Sequence, residues 1–175
     1  KTTPLQCCAG GCIFPRSGPY RISFEQIRNG MEKARWNGRF TILRKNPYLV
    51  VDGAHNPDAA KKLQESLRMY FPDREFVFLM GVFRDKQYDA IAKRMAPMAK
   101  EIVAMETPDN PRALPAEELG EVLKKYQSPE HVHVAGSLEE ALQLGEELAK
   151  KEDVIVAFGS LSFIGDLTKL SEKMG

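Results

Sequence analysis

Along this chain, short apolar runs alternate with longer stretches that are apolar on one helical face. The runs Phe40–Leu43, Tyr48–Val51, Glu75–Met80, Glu101–Met105, His131–Val134 and Val154–Phe158 predict six strands. Stretches near 57–70, 86–97, 115–126 and 137–150 predict helices between them, and a last helix is expected near 162–173. Leu63, Leu67 and Tyr70 line one face of the first of these helices. The helix starts carry their own markers. Asn56 can cap backbone N–H groups and Pro57 suits a first turn. Ser137 followed by Glu140 reads as a capping box, and Pro115 with Glu117 and Glu118 again places proline and acids in a first turn. Upstream, the spacing of Ile22, Ile27, Met31 and Ala34 predicts a short amphipathic helix between Ile22 and Arg35. Residues 1–20 have no clear period and are punctuated by Gly10, Gly11, Pro15, Gly18 and Pro19, so they read as a linker or upstream remnant.

Strand–helix alternation implies a mainly parallel sheet with helices on both faces. The first two strands are separated by only a few residues around Asn46-Pro47 and must pair antiparallel, because a parallel crossover needs about a dozen residues. The expected fold is therefore a three-layer α/β, Rossmann-like domain with a six-stranded, mainly parallel sheet and one antiparallel edge. Residues 1–21 form the linker and 22–175 the domain. The 25 Lys and Arg nearly balance 24 Asp and Glu, which gives no support for nucleic acid or an anionic membrane as a general partner. No apolar run approaches the roughly 18 residues of a membrane span. Cys7, Cys8 and Cys12 crowd one glycine-rich stretch, but no distant Cys or His pair completes a zinc spacing, and free thiols of a cytoplasmic protein are expected.

In open α/β sheets ligands bind beyond the carboxyl ends of the strands. Asp52, His55 and Asn56 follow the second strand, and Arg84, Asp85 and Lys86 follow the third. Thr107, Asp109, Asn110 and Arg112 follow the fourth, and Ser160 and Ser162 follow the sixth. One sheet edge thus gathers them, although turns attract Asp, Asn, Ser and Gly whatever their function. Asp52 could accept ribose hydroxyls or cap a turn. His55, just before a helix N-terminus, could donate to phosphate or carboxylate as a neutral imidazole, or be structural. Arg39, between Gly38 and Phe40, suits bidentate recognition of phosphate or carboxylate. Arg112, bracketed by Pro108 and Pro111, could clamp an amino-acid carboxylate. His131 and His133 alternate along a strand and read as structural. No Walker A motif and no G-x-G-x-x-G after a strand is present, so the domain lacks a phosphate cradle of its own.

Three blocks resemble folylpolyglutamate synthase/dihydrofolate synthase, a family of ATP-dependent ligases in the Mur ligase superfamily. The first joins Trp36-x-Gly38-Arg39-Phe40 to Asp52-Gly53-Ala54-His55-Asn56-Pro57. The second comprises Gly81-Val82-Phe83-x-Asp85-Lys86 and Asn110-Pro111-Arg112-Ala113-Leu114, and the third is Gly159-Ser160-Leu161. Asn37 stands where the family usually has proline. The resemblance covers about Ile22 to Leu167 and implies a Mur ligase C-terminal domain. It implies ATP near Arg39 and Asp52, a catalytic His55, and Ser160, or alternatively Ser162, near glutamate and phosphate. The Asn-Pro-Arg loop resembles the amino-acid loop of a Mur ligase and implies substrate roles for Asn110 and Arg112.

The family activates a folate or dihydropteroate carboxylate as an acyl phosphate, which the glutamate amine then attacks. The resemblance further implies a monomer in folate biosynthesis and one-carbon metabolism. Its partners would be an N-terminal ATPase domain, which binds most of the Mg2+, together with L-glutamate and a folate or dihydropteroate. No metal ligand is expected here, and the chain alone is expected to be folded but inactive. The alternatives are another Mur-type peptide ligase, against which the Trp36–Phe40 block speaks, and a non-catalytic Rossmann-like binding module.

Overall fold

The computed structural model describes Glu25, Arg28, Asn29 and residues 38–174. The chain divides into two units at the Asn37–Gly38 junction, and the sheet and its helices belong to the second. The linker at 1–21, most of the helix expected between Ile22 and Arg35, the three cysteines and Trp36 lie outside the described residues.

The strands are β1 (Thr41–Lys45), β2 (Tyr48–Asp52), β3 (Phe76–Met80), β4 (Ala99–Met105), β5 (Val132–Ala135) and β6 (Val154–Phe158). The helices are α1 (Pro57–Tyr70), α2 (Tyr88–Met95), α3 (Ala116–Leu123), α4 (Leu138–Leu148) and α5 (Ile164–Met174). The sheet order is β1-β2-β6-β3-β4-β5. The β1–β2 pair is antiparallel and every other pair is parallel. This is the expected α/β domain with one antiparallel edge.

Successive side chains on a strand point to opposite faces, and the two cores separate accordingly. Val50, Phe78, Val156 and Ile102 pack with Leu63 and Leu67 of α1, Ile91 of α2 and Leu119 of α3. Leu49, Leu79, Ile155 and Val103 pack with Leu142 of α4 and Leu167 of α5. β3 and β6 are buried along their whole length. No polar side chain fits inside such strands, so the polar chemistry is forced to their ends.

Three expected boundaries shift for physical reasons. Phe40 does not open β1. Its φ of 41° is left-handed, because its N–H turns back to the Asp52 carboxylate. α2 stops at Met95 and a 3-10 turn, Ala96–Met98, replaces the rest of the expected helix. Pro97 supplies no N–H and would clash with the preceding turn of an α-helix. Pro115 caps α3 from outside with extended backbone, ψ 142°, rather than entering its first turn.

His131 and His133 flank one carboxylate. Glu101 on β4 sits 3.0 Å from His131 Nδ1 and 2.9 Å from His133 Nε2, through different oxygens. Burial pushes the Glu101 carboxyl up, but the two imidazole donors outweigh it and hold it below its ordinary value. A carboxyl depressed in the fold stabilises above its unfolded value, about 4.3, and loses that contribution as pH falls through the folded one. Glu101→Gln should therefore melt below wild type at pH 5, with the gap closing toward pH 3. Thermal melts of both proteins across that range check it; a gap constant with pH would show that the pair adds nothing through ionisation.

Candidate functional site

The carboxyl rim of the sheet is assembled by backbone packed against backbone. Gly53, after β2, donates its N–H to the Gly38 carbonyl at 2.8 Å. A Cβ on Gly53 would lie 2.2 Å from Leu161 Cδ2, and one on Gly38 3.0 Å from the same atom. Leu161 thus covers both glycines. Gly159, after β6, has φ +115° and a Cβ there would meet the Gly81 carbonyl oxygen at 2.3 Å. The loop after β3 is zipped in turn to the loop after β4. Leu114 N–H donates to the Val82 carbonyl at 3.0 Å and Arg84 N–H to the Arg112 carbonyl at 2.9 Å. The glycines of the motif blocks are therefore points where neighbouring loops touch.

Asp52 closes β2 at 8% exposure. Its Oδ2 accepts the Phe40 N–H at 2.7 Å. Burial pushes its carboxyl above the ordinary value, and the Phe40 and Ala54 N–H groups and the Arg39 charge only partly offset that. Arg39, Asp52, Asn56, Asp58, Lys61, Lys62 and Ser66 line an open cleft of about 570 Å3 over the start of α1. The expected pair Arg39 and Asp52 is thus brought together. Asp58, Lys61, Lys62 and Ser66 were missed by sequence reasoning. Their signal was positional, since the Asn56 cap fixes which residues of α1 face the rim.

His55 lies beyond this cleft's lining. Its Nδ1 is 2.8 Å from the Gly53 carbonyl, which can only accept, so Nδ1 carries the proton. A neutral His55 therefore presents Nε2 as an acceptor, and it donates outward only as the imidazolium. The expectation of a neutral donor is corrected on this geometry. Asn56 caps α1 as expected, accepting the Ala59 N–H at 2.8 Å.

Ser160 is 4% exposed. Its Oγ accepts the Ser162 N–H at 3.2 Å and lies 2.8 Å from Ser162 Oγ. Ser162 is exposed, so of the two hydroxyls it is the one at the surface. The Leu161–Gly53 contact places this turn beside the His55 turn. Asn110 and Arg112 sit elsewhere on the rim. Asn110 Oδ1 accepts the Arg112 N–H at 3.0 Å, and the Arg112 guanidinium stacks over Phe83 at 4.8 Å while binding Asp85. None of Ser160, Ser162, Asn110 or Arg112 lines the Arg39–Asp52 cleft. Among the described residues no group of three His, Cys, Asp or Glu side chains converges as metal ligands. The described residues therefore do not fit a magnesium site built from side-chain ligands alone.

A doubly covered, mainly parallel sheet with an antiparallel edge pair, carrying its polar residues on glycine-packed rim loops, is the C-terminal domain type of Mur ligases. The chain belongs to the family described as Mur ligase, glutamate ligase domain, which it matches over residues 38–161. It is 29% identical over 151 residues to the dihydrofolate synthase/folylpolyglutamate synthase of Bacillus subtilis (strain 168), covering 85% of this chain and 33% of that protein. It is 31% identical over 157 residues to UDP-N-acetylmuramoyl-L-alanyl-D-glutamate--2,6-diaminopimelate ligase 1 of Clostridium acetobutylicum, covering 84% of this chain and 32% of that one. The solved structure of Mycobacterium tuberculosis folylpolyglutamate synthase complexed with ADP matches with a TM-score of 0.78 at 26% identity, over 86% of this chain and 35% of that chain. The chain thus spans about a third of the length of these relatives.

The buried carboxyl and the glycine contacts of the rim are both open to measurement. A carboxyl raised in the fold favours folding below its unfolded value, about 3.9, and that contribution is lost as pH rises through the folded value. The melting temperature of Asp52→Asn should therefore gain on wild type between pH 4 and 6, and a difference that is flat with pH would contradict the burial argument. Gly159→Ala combines a positive φ with a backbone clash and should cost about 2–4 kcal/mol. Gly53→Ala displaces only the half-exposed Leu161 side chain and should cost less. Urea denaturation of both variants orders them.

Proposed function

We propose that this chain is the C-terminal domain of an ATP-dependent folylpolyglutamate synthase/dihydrofolate synthase, which adds L-glutamate to a folate or dihydropteroate. The observation that carries the reading is the Arg39–Asp52 cleft. It joins a guanidinium and an exposed ammonium pair, suited to phosphates, with a carboxylate held by a backbone N–H, suited to ribose hydroxyls. The named relatives, one of them complexed with ADP, support it.

In this reading the complete enzyme passes the ATP γ-phosphoryl to the substrate carboxylate. The glutamate amine then forms the C–N bond as the acyl C–O bond to phosphate breaks. The amine must shed a proton, and His55 Nε2, its tautomer fixed by the Gly53 carbonyl, is an acceptor ready for it. Ser160 and Ser162 supply hydroxyls beside it, and Arg112 and Asn110 meet the amino acid. Closure onto an N-terminal ATPase domain brings the phosphate cradle that this chain lacks and excludes water from the acyl phosphate. Magnesium belongs to that other domain, and no step here is routed through it. The Clostridium relative supports a second reading, a ligase of cell-wall peptide precursors; the Trp36–Phe40 block favours the first.

The full-length polypeptide carrying this domain should release ADP only when a folate or dihydropteroate and L-glutamate are both present. Arg39→Ala in it should raise the KM for ATP about tenfold or more, the loss of one charge-assisted hydrogen bond, while the KM for glutamate stays near wild type. Turnover with a muramyl peptide in place of a folate would establish the second reading, and an unchanged KM for ATP would remove the cleft from the nucleotide site.

A further inference from the structure

Arg112 is not a free clamp. Asp85 Oδ1 accepts from its Nε at 3.2 Å and from Nη2 at 2.9 Å, and Asp85 Oδ2 accepts from Nη2 at 2.8 Å. The side edge of the guanidinium is therefore fully taken. Its plane is held over the Phe83 ring at 4.8 Å. Its backbone is fixed as well, by the Asn110 side chain on its N–H and the Arg84 N–H on its carbonyl. A guanidinium has five N–H donors, and Asp85 engages only the side edge. Nη1 has no partner among the described residues, and the side chain is 55% exposed. Nη1, at the end of the guanidinium fork away from Asp85, is thus left available to a second acceptor.

We propose that Asp85 is the positioning residue for the amino-acid substrate, holding the Arg112 guanidinium by one edge so that Nη1 receives the substrate carboxylate. The inference rests on the proposed ligase function for the location of the amino acid and goes beyond it in assigning Asp85. The charges around the fork agree. Arg84, Lys86 and Arg112 face Asp85 and Glu118, with Lys86 Nζ 3.3 Å from Asp85 and Arg84 3.9 Å from Glu118. Lys86 and Arg84 thus add cations beside the fork, in keeping with an anionic substrate group. A side chain of Arg112's length left unpaired would have to give up several rotatable bonds on binding. Asp85 and Phe83 have removed that freedom beforehand. Asp85 itself touches no substrate in this arrangement.

The opposite possibility is that Asp85 occupies the place of the substrate carboxylate and must be displaced. The two differ in sign. If Asp85 positions Arg112, its removal weakens amino-acid binding; if it competes, removal strengthens it. The test uses the full-length polypeptide carrying this domain as wild type, Asp85→Ala and Asp85→Glu. The wild type is first screened with L-glutamate, meso-diaminopimelate and L-alanine, and failure with glutamate counts against the functional reading alone. KM values are then taken for whichever amino acid is accepted, and for ATP. Asp85→Ala should raise the amino-acid KM on the order of tenfold, leave the KM for ATP within about twofold, and melt with wild type, as expected of a surface ion pair. Asp85→Glu, which can still reach the fork, should recover most of the loss. An amino-acid KM that is unchanged or lowered in Asp85→Ala overturns the proposal, as does a rise shared equally with ATP. A wild type that accepts no amino acid overturns both readings.

Discussion

The backbone at Gly159 runs so close to the Gly81 carbonyl that a Cβ would come within 2.3 Å of that oxygen. This contact sets the geometry of the rim. β6 lies between β2 and β3, so the loop leaving it must pass over both neighbours. It does so without a side chain at Gly159, and two residues later Leu161 closes over Gly38 and Gly53. The loops after β2, β3 and β6 are thus brought into contact by absent side chains rather than by added ones. Polar groups that lie far apart in the sequence gain fixed separations because the intervening backbone cannot move apart without opening a hole.

Much of this was legible in the sequence, and the reason is periodicity. β3 and β6 are short, wholly apolar and bounded by turn residues, and a strand buried on both faces leaves that mark. The antiparallel edge followed from loop length alone, since Asn46-Pro47 is too short for a crossover. That Asp52 and the serine turn lie at one rim followed from their places just after strands, whereas Arg39 was joined to Asp52 only by the resemblance. What was not legible concerns direction. Nothing local announces that Phe40 adopts φ 41°, because the cause is a carboxylate twelve residues away. The tautomer of His55 depends on where the Gly53 carbonyl points. Arg112 read as fixed by its flanking prolines, and its side-chain partner was missed because Asp85 lies 27 residues upstream, across two loops that only the fold places together.

Two carboxylates on the same rim illustrate how burial changes the meaning of a charge. Asp52 is nearly enclosed, and its ionised form is disfavoured despite two backbone donors and a nearby arginine. Such a group lowers stability at neutral pH and is retained where something else requires a buried acceptor. Asp85 is half exposed and is held ionised by Arg112 and Lys86. It contributes little to folding, because solvent screens the pair. A search for stabilising interactions would pass over both. In the proposed function, each fixes the direction of a donor or an acceptor at the rim of the sheet.

In the proposed ligase function, that distinction separates the positioning groups of this domain from the phosphate chemistry assigned to another domain. The rim presents a cleft lined by cations and a carboxylate, an imidazole whose Nδ1 is bound to the Gly53 carbonyl, and an arginine paired with a carboxylate. All of these are groups suited to holding a ligand in place or accepting a proton. None of them cradles a triphosphate, and no set of carboxylates converges to hold a cation among the described residues. Rigid positioning groups on one surface have their greatest effect when a second surface brings the reacting phosphate to them. Water leaves as the two meet, and electrostatic interactions strengthen in the drier space. A rim built from glycine contacts, stiff and with little to rearrange, is suited to being that fixed surface.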